Sequence, residues 1–469
     1  MVSRRQLIGL GVGAGVVAAA TGCDRVAAHF RTRADKEAFA VPPSGGSDGA
    51  RLFGRAGFGH RPGDLLAYTR DGHEATVERL LRADVEEERT LKAQISHLEV
   101  FRIDAVELPD WHGEELMRQL QQAAILRAVY GANPLKERMA DFWTDHFNIF
   151  GKKDLGAFRA GYDQEEVIRP HSLGTFPDML HASAKSPAML GYLDNEKSQK
   201  GSPNENYARE LMELHTLGVD GGYTQKDIQE VARCFTGWTV EDRFLHARGS
   251  FRFDADRHDT GEKLVLGQRI PAGGGEDDGL TVLKMLCEHP STAKFLAKKM
   301  SRAFLGKRVP AVESRVAAAY LKTKGDIRAM MRALLMSDEF LTGPPILKRP
   351  LDLVASSLRA LDATTDADTA IIDHLGAMGQ VAYEWPMPDG FPVKTSAWSG
   401  SMLPRWNYAF ALANKNIRGT YVEDRELTLE QQLEALFGRP LTLDDNELLL
   451  ACRVDGLGVA MASPEFQWR

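Results

Sequence analysis

From about residue 48 onward, apolar side chains recur at three- and four-residue spacing, and that period admits little besides helix. The segments "MRQLQQAAILRAVY" (117–130) and "NPLKERMADFWTDHFNIF" (133–150) show it most plainly, and Asn133 followed by Pro134 supplies an N-cap and a first turn. Further helices are predicted over 176–184, 205–217, 225–235, 279–288, 291–305, 312–322, 325–337, 350–361 and 428–437. β signal is scarce. "SFRFD" and "KLVLG" flank the polar stretch "ADRHDTGE" (255–262), which predicts one hairpin with a long tip. The expected fold class is mainly α: a multi-helical globular body with one small β-hairpin and long loops. With 469 residues and 43% hydrophobic side chains there is ample material for its core, and a sub-boundary is expected near 340–350.

A short pattern recurs at helix ends. "HASAKSPAML" (181–190), "ALLMSDEFL" (333–341) and "AMASPEFQ" (460–467) each close an apolar helix with Ser-x-x-Met or Ser-x-x-Phe. Ser186, Ser337 and Ser463 are expected to cap a following turn while the large side chain folds back onto the core. This is architecture rather than chemistry.

The first thirty residues carry an address. Arg4 and Arg5 in "SRRQLIG" precede a short Gly- and Ala-rich apolar run, Leu7 to Ala20, which reads as an export signal and is too short for an ordinary spanning helix. The paired arginines resemble a twin-arginine signal. "ATGC" then resembles a lipobox with Cys23 as the acylated first mature residue, although Ala20 stands where a larger aliphatic is usual. Residues 1–22 are thus expected to be a signal, 23–47 a Pro/Gly/Ser-rich tether, and 48–469 the body. The protein is expected to be exported and held at the membrane by a lipid anchor, on the periplasmic or outer face. The net charge of -7, without a basic tail or stripe, argues against nucleic acid as a partner. Four cysteines (Cys23, Cys234, Cys287, Cys452) form no CxxC pair, so zinc-ribbon and thioredoxin-type sites are unsupported.

The densest polar stretch is "NENYARELMELHTLG" (204–218). At about 100° per residue, Asn206, Arg209, Glu210 and Glu213 share one face and His215 lies opposite, among apolar residues. Two readings stand: a solvated stripe of ion pairs, or the wall of a site. Carboxylates one turn apart are what helical bundles use to hold iron or manganese, normally beside a histidine. Glu210, Glu213 and His146 are therefore the candidate ligands of a divalent metal, with Asn204, Glu205, Asn206 and Arg209 as a supporting network. On the site reading, Glu210 and Glu213 are expected to be mostly buried, with Arg209 turned toward one of them. His258 and Asp259 in the 254–262 loop are candidates for the same pocket, and should then approach His146 or the 204–213 helix. Calcium is disfavoured there, because Asp259 stands where an EF-hand needs glycine. HExxH, GxSxG and the Walker A pattern do not occur.

Taken in order, "RAGFGHRPG", "MADFWTDHFN", "SPNENYARELMELHTLGVDGGYTQKDIQEVARCFTGWT", "HDTGEKLVLG", "WPMPDGFP" and "SPEFQ" resemble the bacterial family called domain of unknown function 1800. The resemblance runs from about residue 48 to the C-terminus. It implies a helical exported protein without an established reaction, often encoded beside members of domain of unknown function 1501, which look like the sulfatase and alkaline phosphatase fold. Family members often read Trp-His-x-His-Phe where this chain has Trp143, Thr144, Asp145, His146 and Phe147, which weakens any two-histidine metal reading. Two functions follow as expectations. One is a metal-assisted hydrolase or oxidoreductase using His146, Glu210, Glu213, His258 and Asp259. The other is a non-enzymatic scaffold or secretion partner for a sulfatase-like protein.

Overall fold

The structure, a computed structural model, describes residues 34–42, 46–82, 89–103, 113–154, 156–241 and 249–469. Arg4, Arg5 and Cys23, on which the export and lipidation readings rest, lie outside the described residues. The body is mainly α. Its principal helices are α1 (Gly46–Arg55), α2 (Gly113–Tyr130), α3 (Pro134–His146), α4 (Gly156–Asp163), α5 (Phe176–Lys185), α6 (Glu205–Glu210) and α7 (Gln225–Cys234). They continue with α8 (Asp277–Glu288), α9 (Pro290–Leu305), α10 (Pro310–Thr323), α11 (Ile327–Leu335), α12 (Pro350–Ala360), α13 (Met402–Ala413) and α14 (Leu429–Phe437).

Local chemistry fixes their starts. Asn133 accepts from the backbone N–H groups of Leu135 and Lys136 ahead of Pro134, satisfying donors that the first turn leaves unpaired. Thr224 and Asp227 make a reciprocal capping box at α7, as do Thr428 and Gln431 at α14. Ser186, Ser337 and Ser463 do occupy N-cap positions, but their hydroxyls do not cap the helices that follow. Ser337 donates to the Leu334 carbonyl, Ser463 to the Ala460 carbonyl, and Ser186 to the Asp163 carboxyl at 2.6 Å. The large residues of the pattern, Met189, Phe340 and Phe466, are buried as expected.

The β structure departs from the single hairpin expected around 255–262. Strand β1 (Trp238–Val240) pairs antiparallel with β2 (Phe251–Phe253), and β3 (Lys263–Val265) with β4 (Gln268–Ile270). A third two-stranded sheet joins β5 (Thr364–Thr365) to β6 (Thr420–Tyr421). The strands flanking 255–262 therefore turn to other partners. The physical reason is the turn at Leu266–Gly267, where both residues have positive φ (49° and 75°) and close a tight hairpin that 255–262 cannot match. No described helix is long and apolar enough to cross a membrane.

The apolar interior forms two packed clusters. One joins α3, α5, the 207–217 segment and α8 to α11; the other joins the end of α2 to α12, α13 and α14. Cys234, Cys287 and Cys452 are buried and unbridged.

Asp163, at the end of α4, is buried with the Ser186 hydroxyl as its hydrogen-bond donor, and burial pushes its carboxyl up to about 7. A folded-state value raised above 3.8 means the fold holds a proton that the unfolded chain releases. Its contribution to stability is complete below pH 4 and is lost as pH rises through 7. Asp163→Asn should abolish that decline and raise stability at pH 8 by on the order of 2 kcal/mol, read by denaturant melts at pH 5 and 8.

Candidate functional site

Helix α3 presents two polar rows. Arg138, Asp141 and Asp145, spaced by three and four, face the start of α12, where Arg349 is the N-terminal flanking residue. The Arg349 guanidinium bonds Asp145 Oδ2 at 2.6 Å and also Asp141, while its backbone N–H donates to Asp352 Oδ2 at 2.9 Å. Asp352 also accepts from Arg138, and Arg469 lies 3.2 Å from it. These six charges alternate in sign and are largely buried, so each is neutralised by a neighbour rather than by water. Burial acts to raise the Asp352 carboxyl, but Arg138, Arg469 and Arg349 together hold it well below the usual carboxylate range.

The second row leads to His146, fully buried at the end of α3. Its Nε2 lies 3.1 Å from the His215 carbonyl, an acceptor only, so the proton sits on Nε2. Its Nδ1 is then the acceptor for the Lys299 ammonium at 3.0 Å. Trp143, Phe147 and Phe176 box the ring, with centroids 5.2, 4.5 and 6.0 Å away. This burial, with Lys299 and His215 adding to it, keeps the imidazole neutral, well below its usual range. Burial likewise pulls Lys299 down to about 8, opposed by Asp145 and Asp389. Asp145 moves the other way. Burial and Asp141 push it up to about 6 against the pull of Arg349.

Over these groups lies the "WPMPDGFP" segment (385–392). Asn148 Nδ2 donates to the Trp385 and Met387 carbonyls at 2.9 and 2.7 Å, and the Tyr192 hydroxyl donates to the Pro386 carbonyl at 2.7 Å. Gly390 (φ 74°) presses so close that a Cβ there would stand 2.1 Å from the Asp145 carbonyl oxygen, so only glycine fits. The result is a cleft of about 470 Å³ whose walls include Asp145, His146, Lys299, Arg302, Arg349 and Asp389.

The other sequence candidates are placed differently. Glu210 and Glu213 are partly buried, the Glu213 side chain 28% exposed, and neither lines the cleft. Arg209 lies 3.7 Å from Glu213 and 3.4 Å from Glu205, and donates to Gln225 Oε1 at 2.9 Å. A π-helical turn, Leu211–Thr216, follows α6 directly and widens the period, so a wheel drawn at 3.6 residues per turn loses phase there. Asn204 caps α6 by accepting from the Asn206 N–H, and its amide donates to the Asp194 carbonyl; Asn206 donates to the Leu193 carbonyl. This face ties the helix to its neighbours. The π turn does bring His215 to His146, with centroids 5.9 Å apart, and His215 Nε2 has no hydrogen-bond partner among the described residues. Burial and Lys299 pull His215 down to about 3.

His258 and Asp259 do not join His146 or the 204–213 helix. His258 is buried with Nδ1 2.8 Å from the Thr236 carbonyl and Nε2 3.1 Å from Asp278, which also takes Lys263 at 2.5 Å. Asp259 forms a two-pronged pair with Arg233 at 2.9 and 3.0 Å. The loop is pinned to α7 and α8 by its own charges, and is neither a solvated tip nor a wall of the cleft. Among the described residues no group of three or more His, Cys, Asp or Glu could hold a metal, so His146, Glu210 and Glu213 are not assembled as a ligand set.

Lys299, Arg349 and Asp389 escaped the sequence reading. Lys299 had a signal: it lies three residues after Leu296 and four before Ala303, at the margin of an apolar stripe. Asp352→Asn should cost about 3–5 kcal/mol, because it strands Arg138 and Arg469 in the interior. Chemical denaturation checks this, and a loss under 1 kcal/mol would show that the network carries little of the fold.

The family model described as a protein of unknown function (DUF1800) matches residues 51–468. No curated protein and no solved structure matches the chain. The matched span takes in the walls of the cleft from α3 to the 385–392 segment, and on that near-complete match the chain belongs to the family of proteins of unknown function DUF1800.

Proposed function

We propose that this chain is an exported, lipid-anchored protein of the cell envelope whose His146 cleft is an acid–base active site of the hydrolase class. One observation carries the catalytic part: a single cleft holds a carboxyl raised to about 6 and an ammonium lowered to about 8, Asp145 and Lys299. General acid–base catalysis works best with groups whose values bracket the working pH, and environments that push two groups toward neutrality from opposite sides assign the roles. Asp145 is the base and Lys299 the acid. His146, neutral and fixed in one tautomer, orients the Lys299 ammonium, while Arg302 and Arg349 supply positive charge for an oxyanion. A metal on His146 is not part of this reading, since both ring nitrogens already have partners. Arg4, Arg5, the apolar run that follows them and Cys23 support the address.

At pH 8 a lysine titrating near 8 is about half amine, whereas an ordinary one is under about 1% amine. Trinitrobenzenesulfonate at pH 8 should therefore modify Lys299 tens of times faster than Lys294 or Lys298, read by peptide mass mapping. Hydrolysis of chromogenic ester and phosphoester substrates should fall about 100-fold or more in Lys299→Met and in Asp145→Asn, each assayed at a temperature where circular dichroism shows it folded. Ordinary labelling of Lys299, together with no hydrolysis above that of Lys299→Met, would sink the enzyme reading. It would favour the rival, a helical scaffold or secretion partner for a sulfatase-like protein.

For the address, Arg4→Lys with Arg5→Lys should hold the protein in the cytoplasm, and Cys23→Ala should release an exported but unanchored form. Cell fractionation reads both. A palmitate analogue that fails to label the wild type removes the lipid anchor.

A further inference from the structure

A second cavity, about 780 Å³, opens where α1, the 59–60 turn, residues 344–348 and the segment 464–469 meet. Pro344, Phe437, Phe466 and Trp468 give it apolar walls. Its charged groups are nearly all cationic: Arg51, Lys348, Arg439 and Arg469, against Glu465.

Three of the four cations already have partners. Arg51 donates to the Gly343 carbonyl, and Arg439 is held by both oxygens of Asp445 at 2.7 and 2.8 Å. Arg469 pairs with Asp352 at 3.2 Å and donates to the Gly54 carbonyl at 2.9 Å. Lys348 differs. The residue is 7% exposed, its Nζ lies 3.4 Å from the centroid of the Phe466 ring, and among the described residues no hydrogen bond or ion pair reaches that nitrogen. The one carboxylate whose field favours its charge, Asp352, is already shared among Arg138, Arg349 and Arg469. Arg405 adds to the positive field, and burial takes the ammonium well below its usual range.

An ammonium on a largely buried side chain, touching only an aromatic face and the cavity, is held less favourably than one with an anionic partner. The penalty is removed if a ligand brings an anionic oxygen to Nζ, and the cavity is the size of an ordinary small-molecule site. We propose that this cavity binds an amphipathic anion, its carboxylate or phosphate-monoester head on Lys348 and its apolar body against Phe437, Phe466 and Trp468. The site is separate from the His146 cleft and does not rest on the activity proposed there, although Arg469 borders both.

Calorimetric titration of the full chain with octanoate, octyl phosphate and octyl glucoside tests this with one tail and three heads. At least one of the two anions should bind tenfold or more tighter than the neutral glucoside, and the better of them identifies the head. Lys348→Met should erase that preference, with a thermal melt at or above the wild type's because a buried charge is gone. Should this variant fail to fold, the wild type still decides. Equal affinity for all three heads, or wild-type-like anion binding by a folded Lys348→Met, would each overturn the proposal.

Discussion

Arg349 is where the molecule's two halves and its cleft are tied together. It precedes α12, which packs into one apolar cluster, and its guanidinium reaches across to Asp141 and Asp145 on α3, which packs into the other. Its own backbone is fixed by Asp352, which also serves Arg138 and Arg469. Three cations and three anions alternate, so no charge in the chain of contacts is left without an opposite neighbour. That balance is what makes so polar a seam tolerable in an interior, where either sign alone would be penalised far beyond the value of one hydrogen bond. Shifting α12 along α3 would break several pairs at once, so the seam also sets the register of the two helices.

The same seam tunes the cleft. Asp145 is the last carboxylate of the chain of charges and the first group of the cleft, and the two roles pull against each other. Burial and Asp141 raise it; Arg349 lowers it; the balance falls near 6. Lys299 stands across the cleft without such a partner at bonding distance and is pulled down toward 8. His146 could have neutralised either group by taking a proton, but its aromatic box and the Lys299 charge deny it one. The imidazole is left as a fixed acceptor that holds the ammonium in place.

How much of this could be read in the residues depends on the range of the interaction concerned. The helices follow from apolar period and from caps such as Asn133 and Thr224, which act within a turn or two, and these were legible. The pairing of β3 with β4 was not, because it hinges on the tight turn at Leu266–Gly267 rather than on strand composition. His146 was legible as a buried histidine beside an aspartate. Its partners were not: Lys299 is 153 residues away in sequence, and Arg349 is 204 from Asp145. The 204–213 carboxylates drew notice by local density and by their spacing on a regular helical wheel. The π turn at 211–216, a feature of packing that no 3.6-residue wheel anticipates, changed their phase. For His258 and Asp259 the loop composition was right about charge and silent about the buried partners, Asp278 and Lys263, that draw the loop inward.

Thr144 stands on the face of α3 opposite His146. In the resembled family a second histidine often stands two residues before His146, and its replacement by Thr144 counted against a metal pair. Residues two apart on a helix point about 200° from each other, so they cannot share one ligand. Thr144 donates to the Ala140 carbonyl at 2.8 Å and accepts from Gln164 Nε2 at 3.0 Å. It lines a small interior cavity of about 70 Å³ together with Gln164 and the Glu137–Arg169 pair, not the cleft of His146 and Lys299. A histidine at 144 would look into that cavity and would meet neither His215 nor Lys299. Asp141, Asp145 and Phe391 border both spaces, so a change at 144 reaches the cleft through these shared walls. Threonine at 144 therefore belongs to the polar interior behind Asp145 rather than to the walls of the His146 cleft.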